Sequence, residues 1–149
     1  MHPARDTKSV TTGSPQETWA LAAELLKELC PGAVIALHGD RGSGKTCFVQ
    51  GLAEAMGVQR PVGSPTFTLV NEYDGAACVL HHIDLYRISG PREALGLGLD
   101  EYLHGDGITA IEWAERAAEL LPAGTIHVEF CVGDKPDERV IRIRRGENA

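Results

Sequence analysis

Gly39-Asp40-Arg41-Gly42-Ser43-Gly44-Lys45-Thr46 is a complete G-x-x-x-x-G-K-[ST] loop, and its flanks decide the fold. The apolar, β-branched run 33–37 before it reads as a buried strand, and Cys47 to Met56 beyond it carries a helical pattern. In a strand–loop–helix unit of this kind the glycines let successive N–H groups turn inward around an anion, while the helix N-terminus adds positive partial charge. Asp40, Arg41, Gly42, Ser43, Gly44, Lys45, Thr46 and Cys47 are therefore the candidate nucleotide-binding residues. Lys45 is expected to reach the β- and γ-phosphates of a nucleotide, and Thr46 to offer its hydroxyl to Mg²⁺.

Working outward, 149 residues are one domain's worth, and 43% apolar content is ordinary for a globular chain. The expected organisation is a single domain over 1–149, with 1–12 frayed or forming an edge strand and 146–149 a disordered tail. No apolar run approaches the roughly 18 residues that a membrane-spanning helix requires. The N-terminus lacks the apolar stretch of a secretory signal, so a cytoplasmic protein without a membrane partner is the simplest account. Cys30, Cys47, Cys78 and Cys131 are scattered without a C-x-x-C pair, which indicates neither a zinc site nor a disulfide framework and suggests reduced, mostly buried thiols. A formal charge of −7 argues against broad adhesion to nucleic acid: no DNA partner is expected, and any RNA would be held mainly by another protein.

Ser14-Pro15-Gln16-Glu17 is a helix start, with Ser14 as N-cap, Pro15 at the first helical position and Glu17 placed for a capping box. Trp19, Ala22, Ala23, Leu26 and Leu29 follow at near-helical spacing, and Cys30-Pro31-Gly32 ends the run. Trp19 either belongs to this apolar stripe or approaches a purine. After the loop's helix, the run 66–73 reads as a strand, Asp74-Gly75 as a hairpin signal and the run 78–84 as the returning strand. Further on come a short helix with a glycine break between Pro91 and Leu103, a strand 108–113, a short helix from Glu115 to Leu121, and a strand from Thr125 to Val132. Arg139 to Arg145 alternate apolar and basic residues, as on a sheet with one wet face; the arginines either protect an exposed edge or meet a partner or RNA.

Two carboxylates close strands. Asp84 stands where a Walker-B-type acid holds Mg²⁺, or caps the following turn. Glu112 could ligate the metal or orient water, because open α/β sheets bind ligands outside the carboxyl ends of their strands; otherwise it is a solvated strand end. Ser64 and Thr66, beside Gly63 and Pro65, could order around a γ-phosphate as a switch, or simply form the turn leading into the strand. His38, His81 and His82 match no familiar ligand set, and adjacent histidines point to opposite faces of a strand, so core or surface roles are expected of them.

The loop together with Ser64-Pro65-Thr66-Phe67-Thr68-Leu69-Val70-Asn71-Glu72-Tyr73, His82-Ile83-Asp84-Leu85-Tyr86-Arg87, Gly96-Leu97-Gly98-Leu99-Asp100-Glu101-Tyr102 and Ile111-Glu112-Trp113 resembles, in order and spacing, the TsaE (YjeE) family of small bacterial ATPases. The resemblance spans about Ser14 to Val132. It implies an α/β fold, a phosphate-loop NTPase domain with a mixed, partly antiparallel central sheet flanked by helices. It also implies ATP hydrolysis in support of a TsaB–TsaD complex that forms N6-threonylcarbamoyladenosine at position 37 of ANN-reading tRNAs. By motif match, Lys45, Asp84 and Glu112 would be catalytic, and Thr46 and Glu112 would ligate Mg²⁺ with support from Asp84. Ser64 and Thr66 would form the switch, and Trp113 would position Glu112 or face the partner. No isolated arginine is marked as a catalytic finger, although Arg41 and Arg87 are candidates, so slow turnover alone is expected. A small-molecule kinase and a nucleotide-dependent binding module are the alternative readings.

Overall fold

The computed structural model describes residues 7–40, 42–65 and 69–145. These form one seven-stranded sheet with the order β1-β7-β6-β2-β5-β4-β3. The strands are β1 (Thr7–Thr12), β2 (Val34–His38), β3 (Val70–Asp74), β4 (Val79–Asp84), β5 (Ile108–Glu112), β6 (Ile126–Val132) and β7 (Arg139–Arg145). β2 lies parallel to both β5 and β6, and β4 is parallel to β5. The pairs β1–β7, β6–β7 and β3–β4 are antiparallel, so the sheet is mixed, as the resemblance implies.

Period-two alternation splits the apolar residues between two faces. On one face Ile35, Leu37, Leu80, Val128, Phe130 and Ile141 meet Leu21, Leu25, Phe48, Val49 and Leu52 of helices α1 (Pro15–Leu26) and α2 (Lys45–Ala55). On the other, Val34, Ala36, Ile83 and Ile111 pack with residues of α3 (Pro91–Gly96), α4 (Leu99–Leu103) and the 3-10 helix Ala114–Leu120. β2 is apolar and buried on both faces because it runs through the middle of the sheet, which brings its carboxyl end and the glycine loop to the centre of one edge.

α1 begins as its sequence dictates: Ser14 Oγ accepts from Glu17 N–H at 3.1 Å. Glu17 reaches back past the cap to Gly13 N–H at 2.8 Å, one residue earlier than a standard capping box. Its buried stripe is Thr18, Leu21, Ala22 and Leu25, rotated from the expected Trp19, Ala22, Ala23, Leu26 and Leu29. The cause is α2, which approaches so closely that a Cβ on Gly51 would stand 2.7 Å from Trp19 Cα. The helix also stops at Leu26, before Leu29.

Other boundaries differ from expectation for local reasons. Of the strand expected over 66–73, residues 66–68 lie outside the described residues and β3 is Val70–Asp74, preceded by Leu69 with a φ of 69° and its N–H donating to Pro65 O at 2.8 Å. The segment after β5 is 3-10 rather than an ordinary helix, broken at Ala117, where φ is −139°. The glycine break between α3 and α4 falls at Gly98, with φ 84°. β7 has the expected wet face, with Arg142 and Arg144 exposed and Ile141 and Ile143 buried, but it is not an edge, because β1 pairs with it from Arg139 to Arg144. The thiols are not mostly buried: Cys30 and Cys131 are exposed and Cys47 and Cys78 half-buried, all four free. The expected tail at 146–149 lies outside the described residues.

Candidate functional site

Parallel pairing puts β4, β5 and β2 in register at their carboxyl ends, with Asp84 beside Glu112 and Glu112 beside Leu37. In-register partners share a face, so both carboxylates project to the side on which α2 begins. An open cleft of about 380 Å³ results, lined by Gly42, Gly44, Lys45, Thr46, Cys47, Ser64, Asp84, Glu112, Trp113 and Arg139. Of the remaining loop residues, Asp40 is exposed and closes a turn through its carbonyl on Ser43 N–H at 3.1 Å, while Ser43 is buried beneath the loop. Arg41 and Thr66 lie outside the described residues. Arg87 is exposed and does not line the cleft.

The loop's glycines are used where side chains cannot go. Gly42 and Gly44 have φ of 77° and 112°, and a Cβ on Gly39 would stand 2.6 Å from Ser43 Oγ and 2.8 Å from Phe130 O. α2 has no side-chain N-cap, so its first N–H groups face the cleft without an intrahelical partner. Ser43 Oγ is buried without a hydrogen-bond partner among the described residues. Orphaned donors around a glycine cradle at a helix N-terminus are the chemistry of an anion site.

Lys45, 5% exposed, donates to Gly39 O at 2.6 Å and holds its ammonium 4.3 Å from the centre of the Trp113 ring. Trp113 itself has a φ of 58°, a left-handed conformation that costs a bulky residue about 1–3 kcal/mol, and its ring lies 4.9 Å from that of Tyr86. Thr46 Oγ1 donates to Glu112 Oε2 at 3.2 Å. The same oxygen lies 2.6 Å from His82 Nε2; a carboxylate only accepts, so this ring nitrogen carries the proton. Asp84 lines the cleft wall, and its Oδ1 accepts from Tyr86 N–H at 2.8 Å, the turn-capping contact that is one of the two readings of it.

Two residues at the site were not singled out for it from sequence. His82 is completely buried against Glu112, and the signal for it was its i, i+2 spacing from Asp84, which puts both on one strand face. Arg139 reaches the loop from β7 and donates to Ser43 O and Gly42 O, a contact no local pattern announces. The other histidines turn elsewhere: His81 faces Glu72 at 3.4 Å, and His38 bonds His127 at 2.9 Å. Trp19 lines a separate cleft with Gln50, Arg60 and Val62 and not the loop's. Burial raises the Cys47 thiol above its usual pKa, partly offset by Trp19 and Arg139 nearby. Among the described residues, no helix is long and apolar enough to cross a membrane.

A family model described as threonylcarbamoyl adenosine biosynthesis protein TsaE matches residues 12–141. The tRNA threonylcarbamoyladenosine biosynthesis protein TsaE of Bacillus subtilis is 44% identical over 131 residues, covering 87% of this chain and 80% of that protein. Its namesake in Treponema pallidum is 40% identical over 122 residues, covering 80% and 87% respectively. The crystal structure of Bacillus subtilis YdiB matches with a TM-score of 0.81 at 36% identity, over 95% of this chain and 86% of that one. Since the matched span runs from the end of β1 into β7 and takes in the loop, both carboxylates and Arg139, this chain belongs to the TsaE family of threonylcarbamoyladenosine biosynthesis proteins.

Proposed function

We propose that this protein binds Mg-ATP in the loop cleft and hydrolyses it in support of tRNA threonylcarbamoyladenosine formation, slowly alone and faster with homologues of TsaB and TsaD that handle the tRNA. The observation that carries the reading is the 3.2 Å contact between the Thr46 hydroxyl and the Glu112 carboxylate, made at the helix N-terminus beside Lys45. A hydroxyl and two carboxylates, Glu112 and Asp84, are hard oxygen donors on one wall of an open cleft, and they suit a cation that retains several waters. Thr46, Glu112 and Asp84 are the residues that would hold magnesium, which would supply positive charge to offset that developing on the phosphates.

The chain's own contribution is positioning. The Lys45 ammonium is engaged by a neutral carbonyl and a ring face, and a phosphate oxygen outcompetes both because it adds direct attraction between opposite charges. Tyr86 N–H fixes the Asp84 carboxylate, and His82 with Thr46 fixes that of Glu112, so neither acid has to be ordered when the substrate arrives. Ser64 lines the cleft together with the loop residues, as a residue responding to the γ-phosphate would. No arginine outside the loop's own brace lines the cleft among the described residues, which fits low activity until a partner binds.

The test is phosphate release from Mg-ATP by wild type and Lys45→Ala, each with and without TsaB and TsaD homologues and tRNA, alongside repeated-turnover tRNA modification. Partner-stimulated release that vanishes in the variant, together with lost repeated turnover, supports the proposal. Release that is equal in the two proteins, or unaffected by the partners, sinks it.

A further inference from the structure

Arg139 opens β7, and its guanidinium is shared between two segments. Nε donates to Ser43 O at 3.0 Å and Nη2 to Gly42 O at 3.3 Å, while Nη1 donates to Pro136 O at 2.8 Å and Glu138 O at 2.9 Å. One side chain thereby clamps the glycine loop to the β6–β7 hairpin. The hairpin carries braces of its own, Gly133 N–H to Glu138 O at 2.8 Å and Asp134 N–H to Glu138 Oε1 at 2.8 Å, so its shape does not rest on the arginine.

The clamp acts on peptide orientation. In a trans peptide the C=O and N–H point in opposite directions. Drawing Ser43 O outward onto the guanidinium therefore turns Gly44 N–H the other way, away from β7. Drawing Gly42 O outward does the same for Ser43 N–H, which closes the turn on Asp40 O. Glycines supply no steric preference of their own here: Gly42 and Gly44 sit at φ 77° and 112°, and a Cβ on Gly42 would meet nothing within 4 Å. The guanidinium supplies the constraint that the glycines lack.

We propose that Arg139 is a positioning residue for the phosphate loop, fixing the peptide planes from Gly42 to Gly44 and so setting the affinity for nucleotide phosphates. The proposal rests on the nucleotide-binding reading above, and the experiment separates the two. Wild type, Arg139→Lys and Arg139→Ala are compared as full chains by backbone amide order parameters without nucleotide, and by calorimetric titration with Mg-ADP. In Arg139→Ala the order parameters at Gly42 to Gly44 should fall from about 0.85 toward 0.6 while the hairpin's stay put. The ADP dissociation constant should rise about tenfold, the effect of losing a charge-assisted hydrogen bond. Lysine, a compact charge without the planar fork, should restore part of both, and millimolar guanidinium chloride should tighten ADP binding to the alanine variant, a rescue that general structural damage does not allow. Unchanged order parameters and affinity in Arg139→Ala overturn the proposal, as does weakened binding that neither lysine nor guanidinium restores. A wild type that fails to bind ADP overturns the nucleotide reading and the affinity claim with it, and the order parameters then decide the loop-positioning claim alone.

Discussion

Replacing His82 with alanine asks whether Glu112 is held by a hydrogen bond or by the sheet alone. The imidazole is fully buried, the Glu112 side chain is 6% exposed, and the two meet at 2.6 Å. Removing the ring leaves the carboxylate with the Thr46 hydroxyl at 3.2 Å and opens a void behind it. A hydrogen bond to a charged group contributes about 1.5–3 kcal/mol, and an under-partnered buried charge adds to that, so a stability loss of about 3 kcal/mol is expected. If Glu112 ligates magnesium as proposed, removing a group that orients it should change metal affinity about 10–100-fold, and half-maximal ATP hydrolysis should need that much more magnesium. Urea denaturation without magnesium reads the first quantity, and magnesium titration of phosphate release reads the second. His82→Gln places an amide N–H near the Nε2 position and should recover part of both. If glutamine proves as damaging as alanine, or a folded alanine variant keeps its magnesium requirement, the hydrogen bond is not what positions Glu112.

Gly51→Ala adds a methyl 2.7 Å from Trp19 Cα and 3.1 Å from Ala22 Cβ, and overpacking should cost about 1–3 kcal/mol despite alanine's better helix propensity. A melting temperature that stays put would mean that the two helices slide apart freely. His127 titrates below its ordinary value because burial, Arg144 and His38 disfavour its protonated form, with Glu129 opposing. The unfolded chain therefore binds the extra proton, stability falls as pH drops below about 6.5, and His127→Gln should flatten that decline in urea midpoints; an unaltered slope refutes the assignment. Cys47, whose thiol burial pushes up, should be alkylated by iodoacetamide after the exposed Cys30 and Cys131, an order that peptide mass spectrometry checks and that first labelling at Cys47 would contradict.

The readable parts of this chain are those fixed by neighbours in sequence. The loop, the Ser14 cap and the strand-end positions of Asp84 and Glu112 follow from residue type and spacing, and pairing in register then puts the two acids side by side. What spacing does not carry is set by long-range contact. The rotation of α1 follows from Gly51 on another helix, and the cover over β7 comes from β1 at the far end of the chain. His82 lay between, because its strand face was deducible but its partner, on β5, was not. Leu69 and Trp113, both at positive φ, break the local rule for bulky residues; Trp113 lines the cleft, and Leu69 O accepts from the N–H of Asp84, which also lines it.

The pairing of β1 with β7 also orders events in time. Thr7–Thr12 precede the rest of the sheet in sequence, yet they pair with Arg139 to Arg144, so this strand must wait until those residues have left the ribosome. Contacts so distant in sequence are slow to form. Because Arg139 stands at the head of that strand and grips the glycine loop, the loop cannot acquire its clamp until the chain has been made as far as β7. A nascent chain stalled short of that point would carry every residue of the G-x-x-x-x-G-K-[ST] motif and lack its brace.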